Sequence, residues 1–115
     1  MEASIFLKRN DLLPIVSAVL SDVNGPLDLT TADVKFIWKN LGTQKVRTGD
    51  AVVVGDPKTG RVSYTWAAGD TKDAGTYQCE FEVSYTVGTG QNEVTTTITV
   101  PNTAYIVMVI NEDLA

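Results

Sequence analysis

From Gly75 to Val87 the sequence alternates without a break. Tyr77, Cys79, Phe81, Val83, Tyr85 and Val87 recur at every second position, with Gln78, Glu80, Glu82, Ser84 and Thr86 between them. Side chains alternate across a β-strand, so a period of two sets an apolar row on one face and a polar row on the other. A helix would scatter the same residues around its circumference. The spacing therefore predicts a central strand of a sheet with one dry face.

The remaining segments repeat the pattern. Val34, Phe36 and Trp38 alternate with Lys35, Ile37 and Lys39, and Val62, Tyr64 and Trp66 alternate with Arg61, Ser63 and Thr65. After a hairpin turn over Gly88–Asn92, Val94, Thr96, Ile98 and Val100 alternate with Thr95, Thr97 and Thr99. Leu13 to Leu20 reads as the first full strand, with Pro14 near its start, where a missing N–H is tolerable. Residues 1–10, with apolar Ile5, Phe6 and Leu7, read as an N-terminal arm or an edge strand. Lys45–Arg47 and Ala51–Val54 read as two short strands separated by Thr48-Gly49-Asp50. Tyr105 to Ile110 reads as the last strand, resuming after a Pro101-Asn102 break. Turn formers punctuate these runs at Ser21–Pro26, Thr30–Asp33, Asn40–Gln44 and Gly55–Gly60. Seven to nine short strands with a turn about every 8–12 residues predict an all-β antiparallel sandwich, one domain over residues 1–115.

Composition removes whole classes of chemistry. The chain has no histidine, which takes away the commonest general base and metal ligand. It has one cysteine, so neither an internal disulfide nor a cysteine-based zinc site can form within it. In the middle of an apolar row, Cys79 reads as a small buried hydrophobe rather than a nucleophile. Nine basic against 14 acidic side chains leave a net charge of -5 and no basic run, so nucleic acid is not an expected partner. Lys8-Arg9 before Leu12–Leu20 imitates a signal peptide, but Asp11 interrupts it and no small-residue cleavage site follows. That run is also far short of the ~20 residues that cross a bilayer. Neither a signal peptide nor a membrane span is expected, and a reducing compartment suits the cysteine usage.

The loop before the central strand has a mechanical reading. Asp70 is placed to accept from the amides of Lys72 or Asp73 and so cap a helical turn. Gly75 lets the backbone leave that turn with positive φ, and the Tyr77 hydroxyl can reach back to a loop carbonyl. Asp73-Ala74-Gly75-Thr76-Tyr77-Gln78-Cys79 resembles the tyrosine corner of immunoglobulin-type domains, and Trp38 resembles their core tryptophan. A second resemblance covers nearly the whole chain. It is carried by Leu27-Asp28-Leu29-Thr30, the run Asp56–Trp66, Gly69-Asp70-Thr71, the run Ala74–Val83 and the Pro101-Asn102 break. In this order and spacing they resemble the immunoglobulin-like N-terminal domain of baseplate upper proteins of tailed bacteriophages and related prophage structural proteins. The resemblance implies an immunoglobulin-like β-sandwich in a virion, assembled in the bacterial cytoplasm and docked to other virion proteins.

Individual residues carry two readings each. Asp50, Asp56, Asp70 and Asp73 fall in turns, where they serve backbone hydrogen bonding or, alternatively, a weak calcium site. Glu80 and Glu82 are neighbours on the outer face of the central strand, a charge display rather than a catalytic pair in a cleft. Trp38, Tyr64, Trp66, Cys79, Phe81 and Val83 are the expected core. If Trp38, Trp66, Tyr64, Tyr77, Tyr85 and Tyr105 were instead exposed, they would make a carbohydrate-binding or adhesion module, the alternative function. No cofactor and no catalytic or metal-binding residue is expected.

The last strand reads as a candidate interface. Tyr105, Val107 and Val109 lie on one side and Ile106, Met108 and Ile110 on the other, so neither face is polar. A wet apolar second face would be sticky, so a partner, a second copy or the N-terminal arm must cover it. Partners are therefore expected among virion proteins, self-association included. From the corner we expect Tyr77→Phe to lower stability by about 1 kcal/mol or more, through the lost hydrogen bond to a buried carbonyl. An unchanged denaturation midpoint would argue against the corner.

Overall fold

A computed structural model describes residues 4–13, 15–88, 90–100 and 106–112. In chain order the strands are β1 (Ser4–Lys8), β2 (Val16–Val19), β3 (Ser21–Asp22), β4 (Gly25–Pro26), β5 (Ala32–Asn40) and β6 (Val46–Asp50). They continue with β7 (Val52–Val53), β8 (Arg61–Tyr64), β9 (Gly75–Val87), β10 (Val94–Val100) and β11 (Ile106–Asn111). The only helical pieces among the described residues are 3-10 turns at Pro57–Thr59 and Gly90–Asn92.

β9 organises the larger sheet. One of its edges carries β5, antiparallel, from Tyr77 to Tyr85. Its other edge is shared: β11 pairs with Gly75–Cys79 and β10 with Phe81–Val87. β1 adds parallel to β11, and β6 adds antiparallel to β5. The smaller sheet runs β2-β8-β7, and β3 and β4 form a separate two-residue hairpin. The two main sheets make an all-β sandwich.

The alternation in sequence becomes the core. Val34, Phe36, Trp38, Tyr77, Cys79, Phe81, Val83, Met108, Ile110 and Leu7 face inward from the larger sheet. Val16, Val62 and Tyr64, with Leu20, Leu27, Leu29 and Trp66 from adjoining segments, meet them from the other side. At the centre Phe36 lies 5.0 Å from Phe81, 5.4 Å from Tyr64 and 5.8 Å from Trp66, ring centre to ring centre. Trp66 stands edge-on to both Trp38 and Tyr64, at 5.4 and 5.2 Å. Edge-on and tilted pairs set the positive ring edge against the negative face of a neighbour.

The turn at Asp56–Gly60 does more than reverse the chain. The Asp56 carboxylate accepts from the Lys58 amide at 3.0 Å, and Gly60 closes the turn at φ 69°. The carbonyls of Gly60 and Pro57 then accept from the amides of Leu20 and Leu29 at 2.8 and 2.9 Å. A Cβ at Gly60 would come within 2.5 Å of the Leu20 carbonyl oxygen, so the residue is required twice.

Three expectations are corrected and one open alternative is decided. The first full strand is β2 alone, starting at Val16; Leu13 is 73% exposed, and Pro14 lies outside the described residues. Val46 to Asp50 is one strand running through Thr48-Gly49-Asp50, and the chain changes sheet at Ala51, between β6 and β7. Of the two readings of the N-terminal segment, the edge strand is the one found: Ser4–Lys8 pairs along β11 instead of folding over its face as an arm. The far end of the β9–β10 hairpin runs past the smaller sheet, so Val87 is 71% exposed, and Val94 and Ile98 are exposed too. The smaller sheet has strands of only two to four residues and cannot cover that length. The Pro101-Asn102 break and Tyr105 lie outside the described residues.

β6 runs through Gly49 because the Tyr64 ring packs directly over it, where a Cβ would overlap the ring and its hydroxyl. Gly49→Ala is expected to lower stability by about 2 kcal/mol, the scale of core overpacking. Urea denaturation checks this, with Gly69→Ala as the comparison: its Cβ would meet nothing within 4 Å, although its φ is 89°.

Candidate functional site

The residues singled out around the β8–β9 loop lie close together, though not all in the expected roles. The Tyr77 hydroxyl donates to the Asp73 carbonyl at 2.6 Å. Gly75 has φ 147°, and a Cβ there would sit 3.1 Å from the Asn40 side-chain amide. Asn40 is itself buried, its Oδ1 accepting from the amides of Gly42 and Thr43 at 2.8 and 3.1 Å. The corner and the β5–β6 turn thus pack against each other.

Asp70 does not cap Lys72 or Asp73. Its Oδ2 accepts from the Tyr64 hydroxyl at 2.5 Å and from the Ala67 amide at 2.8 Å. Its other oxygen lies 3.6 Å from the Arg47 guanidinium. A carboxylate mostly withdrawn from water is held best by charged and hydroxyl donors, and here those lie behind it rather than ahead. Arg47 also donates to the Gly69 carbonyl at 2.8 Å and sits 5.9 Å above the Trp38 ring, a cation–π distance. The Trp38 indole N–H is buried without a hydrogen-bond partner among the described residues. Arg47, Tyr64 and Asp70 therefore form a polar clasp joining β6 of the larger sheet to the loop leaving β8 of the smaller one.

Three further ties were not evident from the sequence. The buried Thr71 hydroxyl donates to the Asp11 carbonyl at 2.8 Å, and Arg9 Nε donates to the Lys72 carbonyl at 2.8 Å. The Tyr85 hydroxyl donates to the Asp28 carbonyl at 2.8 Å, so β9 is tied by a tyrosine near each end. Asp50, which ends β6 rather than lying in a turn, pairs across to Lys35 of β5 at 3.0 Å, and Asp56 caps its turn. Among the described residues no three acidic or cysteine side chains converge as a metal site would require.

The core residues show what burial does to ionisation. Burial pushes the Cys79 thiol up to about 12. It also raises Tyr64, helped by the Asp70 carboxylate, as well as Tyr77 and Tyr85. Such a thiol stays protonated and unreactive near neutrality.

The candidate interface strand divides by face. Met108 and Ile110 are core residues, and Ile106 is partly buried against the core, so these three are not free to dock. Val107 and Val109 point outward and are half-buried, beside Phe6 on β1, which is 64% exposed. Tyr105 lies outside the described residues. Where the sandwich edges part between β1 and β2, an apolar cleft of about 500 Å³ is lined by Ile5, Phe6, Ile15, Val16, Ala18 and Ile106. Glu80 and Glu82 lie on the outer face of β9 opposite Ile37 and Lys35 of β5.

The described residues thus form a two-sheet β-sandwich with a buried aromatic centre and an exposed apolar margin. Over residues 15–109 the chain matches the BppU N-terminal domain, the N-terminal domain of baseplate upper proteins. With more than half of the chain matched, it belongs to that family, whose members are structural domains of phage baseplates, and so to the virion. No curated protein matches the chain.

The raised thiol has a testable consequence. In the unfolded chain Cys79 ionises near 9, whereas in the folded protein it keeps its proton to about 12. Above pH 9 the folded state thus binds more protons, so stability falls as pH rises. The expected result is a denaturation midpoint that falls between about pH 9 and 12, less steeply in Cys79→Ala. Equal slopes would exclude the thiol as a cause.

Proposed function

We propose that the chain is a non-enzymatic docking domain of a phage or prophage tail baseplate, immunoglobulin-like in plan. It binds other virion proteins through the outer face of β1 and β11, centred on Phe6, Val107 and Val109. The observation that carries this reading is the family match over residues 15–109. Physical features support the finer points. No histidine is present, the Asp70 carboxylate is taken up by Tyr64, Ala67 and Arg47, and that of Asp56 caps its own turn. Trp38, Trp66, Tyr64 and Tyr77 are buried, so they offer no stacking platform of the kind a carbohydrate module needs. A net charge of -5 without a basic patch suits protein partners rather than nucleic acid.

Electron microscopy of particles carrying an epitope-tagged copy tests the location. Antibody label is expected at the tail baseplate; label confined to the capsid would refute the reading. The docking face is tested by a pair of variants. Met108→Asp puts a carboxylate into a fully buried site and is expected to prevent folding. Val107→Asp is expected to melt within a few degrees of wild type yet fail to enter particles. Incorporation of Val107→Asp at the wild-type level would remove this face from the proposal.

A further inference from the structure

Among the described residues β10 is the longest open edge. β9 takes one side of it, and among the described residues no strand takes the other. Its residues Val94 to Thr99 are exposed on both faces. Natural edges are shortened, charged or interrupted by proline, because a row of free N–H and C=O groups templates pairing with another chain. The other edges follow that rule: β7 has two residues, β2 has four, β1 ends on Lys8, and β6 carries Arg47 and Asp50. Val94-Thr95-Thr96-Thr97-Ile98-Thr99-Val100 has no charge and no proline over seven residues.

The order of residues within this edge indicates what fits it. Placed antiparallel to a copy of itself about Thr97, the strand matches Val94 with Val100, Thr95 with Thr99, Thr96 with Ile98, and Thr97 with Thr97. Apolar residues and threonine methyls then meet on one face and threonine hydroxyls on the other. The Thr97 and Thr95 hydroxyls already neighbour Ser84 and Thr86 at 3.3 and 3.1 Å, which identifies theirs as the polar face. The opposite face continues the exposed row of Val87, Val94 and Ile98, which gains apolar neighbours from the copy. With a net charge of -5 on each chain, a neutral strand is also where two copies approach with least repulsion.

We propose that two copies of this chain join through their β10 strands, antiparallel about a two-fold axis at Thr97, making one sheet continuous across the pair. This pairing uses the free edge of β10 and not the outer face of β1 and β11 assigned to virion partners, so Val107→Asp should leave it intact.

Sedimentation analysis across micromolar to millimolar protein tests the proposal. Wild type is expected to pass from monomer to dimer. Thr97 is the one position that opposes itself, so Thr97→Lys and Thr97→Glu should each weaken dimerisation by about tenfold or more, through like charges directly opposed. Mixing the two variants should restore a one-to-one dimer. Should either variant fail to fold, hydrogen exchange on wild type decides: β10 amides should gain protection as concentration rises, and amides of the Leu41–Gln44 turn should not. A wild-type monomer at millimolar concentration, a dimer that both charges leave intact, or β10 exchange independent of concentration would each overturn the proposal.

Discussion

The packing of Phe36, Trp38 and Phe81 against Tyr64 and Trp66 holds the two sheets together. Three of these rings come from the larger sheet and two from the smaller sheet and the segment following it, so every contact between the groups is a contact between layers. Apolar burial is worth roughly 25 cal/mol per Å², and aromatic side chains bury the most area each. The smaller sheet offers only ten residues in three short strands, too little backbone pairing to hold its place alone. Its position depends on the rings it contributes and on the leucines at 20, 27 and 29 that flank them.

Polar contacts set the register of this apolar centre. Tyr64 packs its ring over Gly49 while its hydroxyl reaches Asp70, and Asp70 lies beside Arg47, whose guanidinium covers Trp38. One side chain therefore serves both the core and the clasp. The bonds from Thr71 to Asp11 and from Arg9 to Lys72 extend the restraint to the segment between β1 and β2. A loop held in this way presents a fixed surface, as a structural domain of a phage baseplate requires.

The covered and uncovered parts of the sandwich follow from strand lengths. β9 has 13 residues, far more than any strand of the smaller sheet, so its distal end and β10 extend beyond the second layer. Beyond β11, on the same side of β9, the sheets part between β1 and β2, and Phe6 is exposed beside Val107 and Val109.

The alternation of Tyr77 to Val83 with Gln78 to Glu82, and of Val34 to Trp38 with Lys35 to Lys39, determined by itself that the chain forms a sandwich and which rings fill it. A period of two admits one inward face whatever the neighbours are. The same pattern could not say how far the dry face extends. Tyr85 and Val87 continue the alternation of Phe81 and Val83, yet Tyr85 is only partly buried against the core and Val87 is exposed, because the facing sheet ends first. Nor did it reveal that Asp70 would turn toward Tyr64 and Arg47, since a carboxylate in a loop has local amides and distant donors equally available on paper. β11 is apolar on both faces, and only its placement between β1 and β9 decided that Met108 and Ile110 go inward while Val107 and Val109 remain at the surface. Side-chain periodicity is a property of one strand and can be read locally. Burial and hydrogen-bond partnership depend on what the chain brings opposite each residue, and that is decided by tertiary packing.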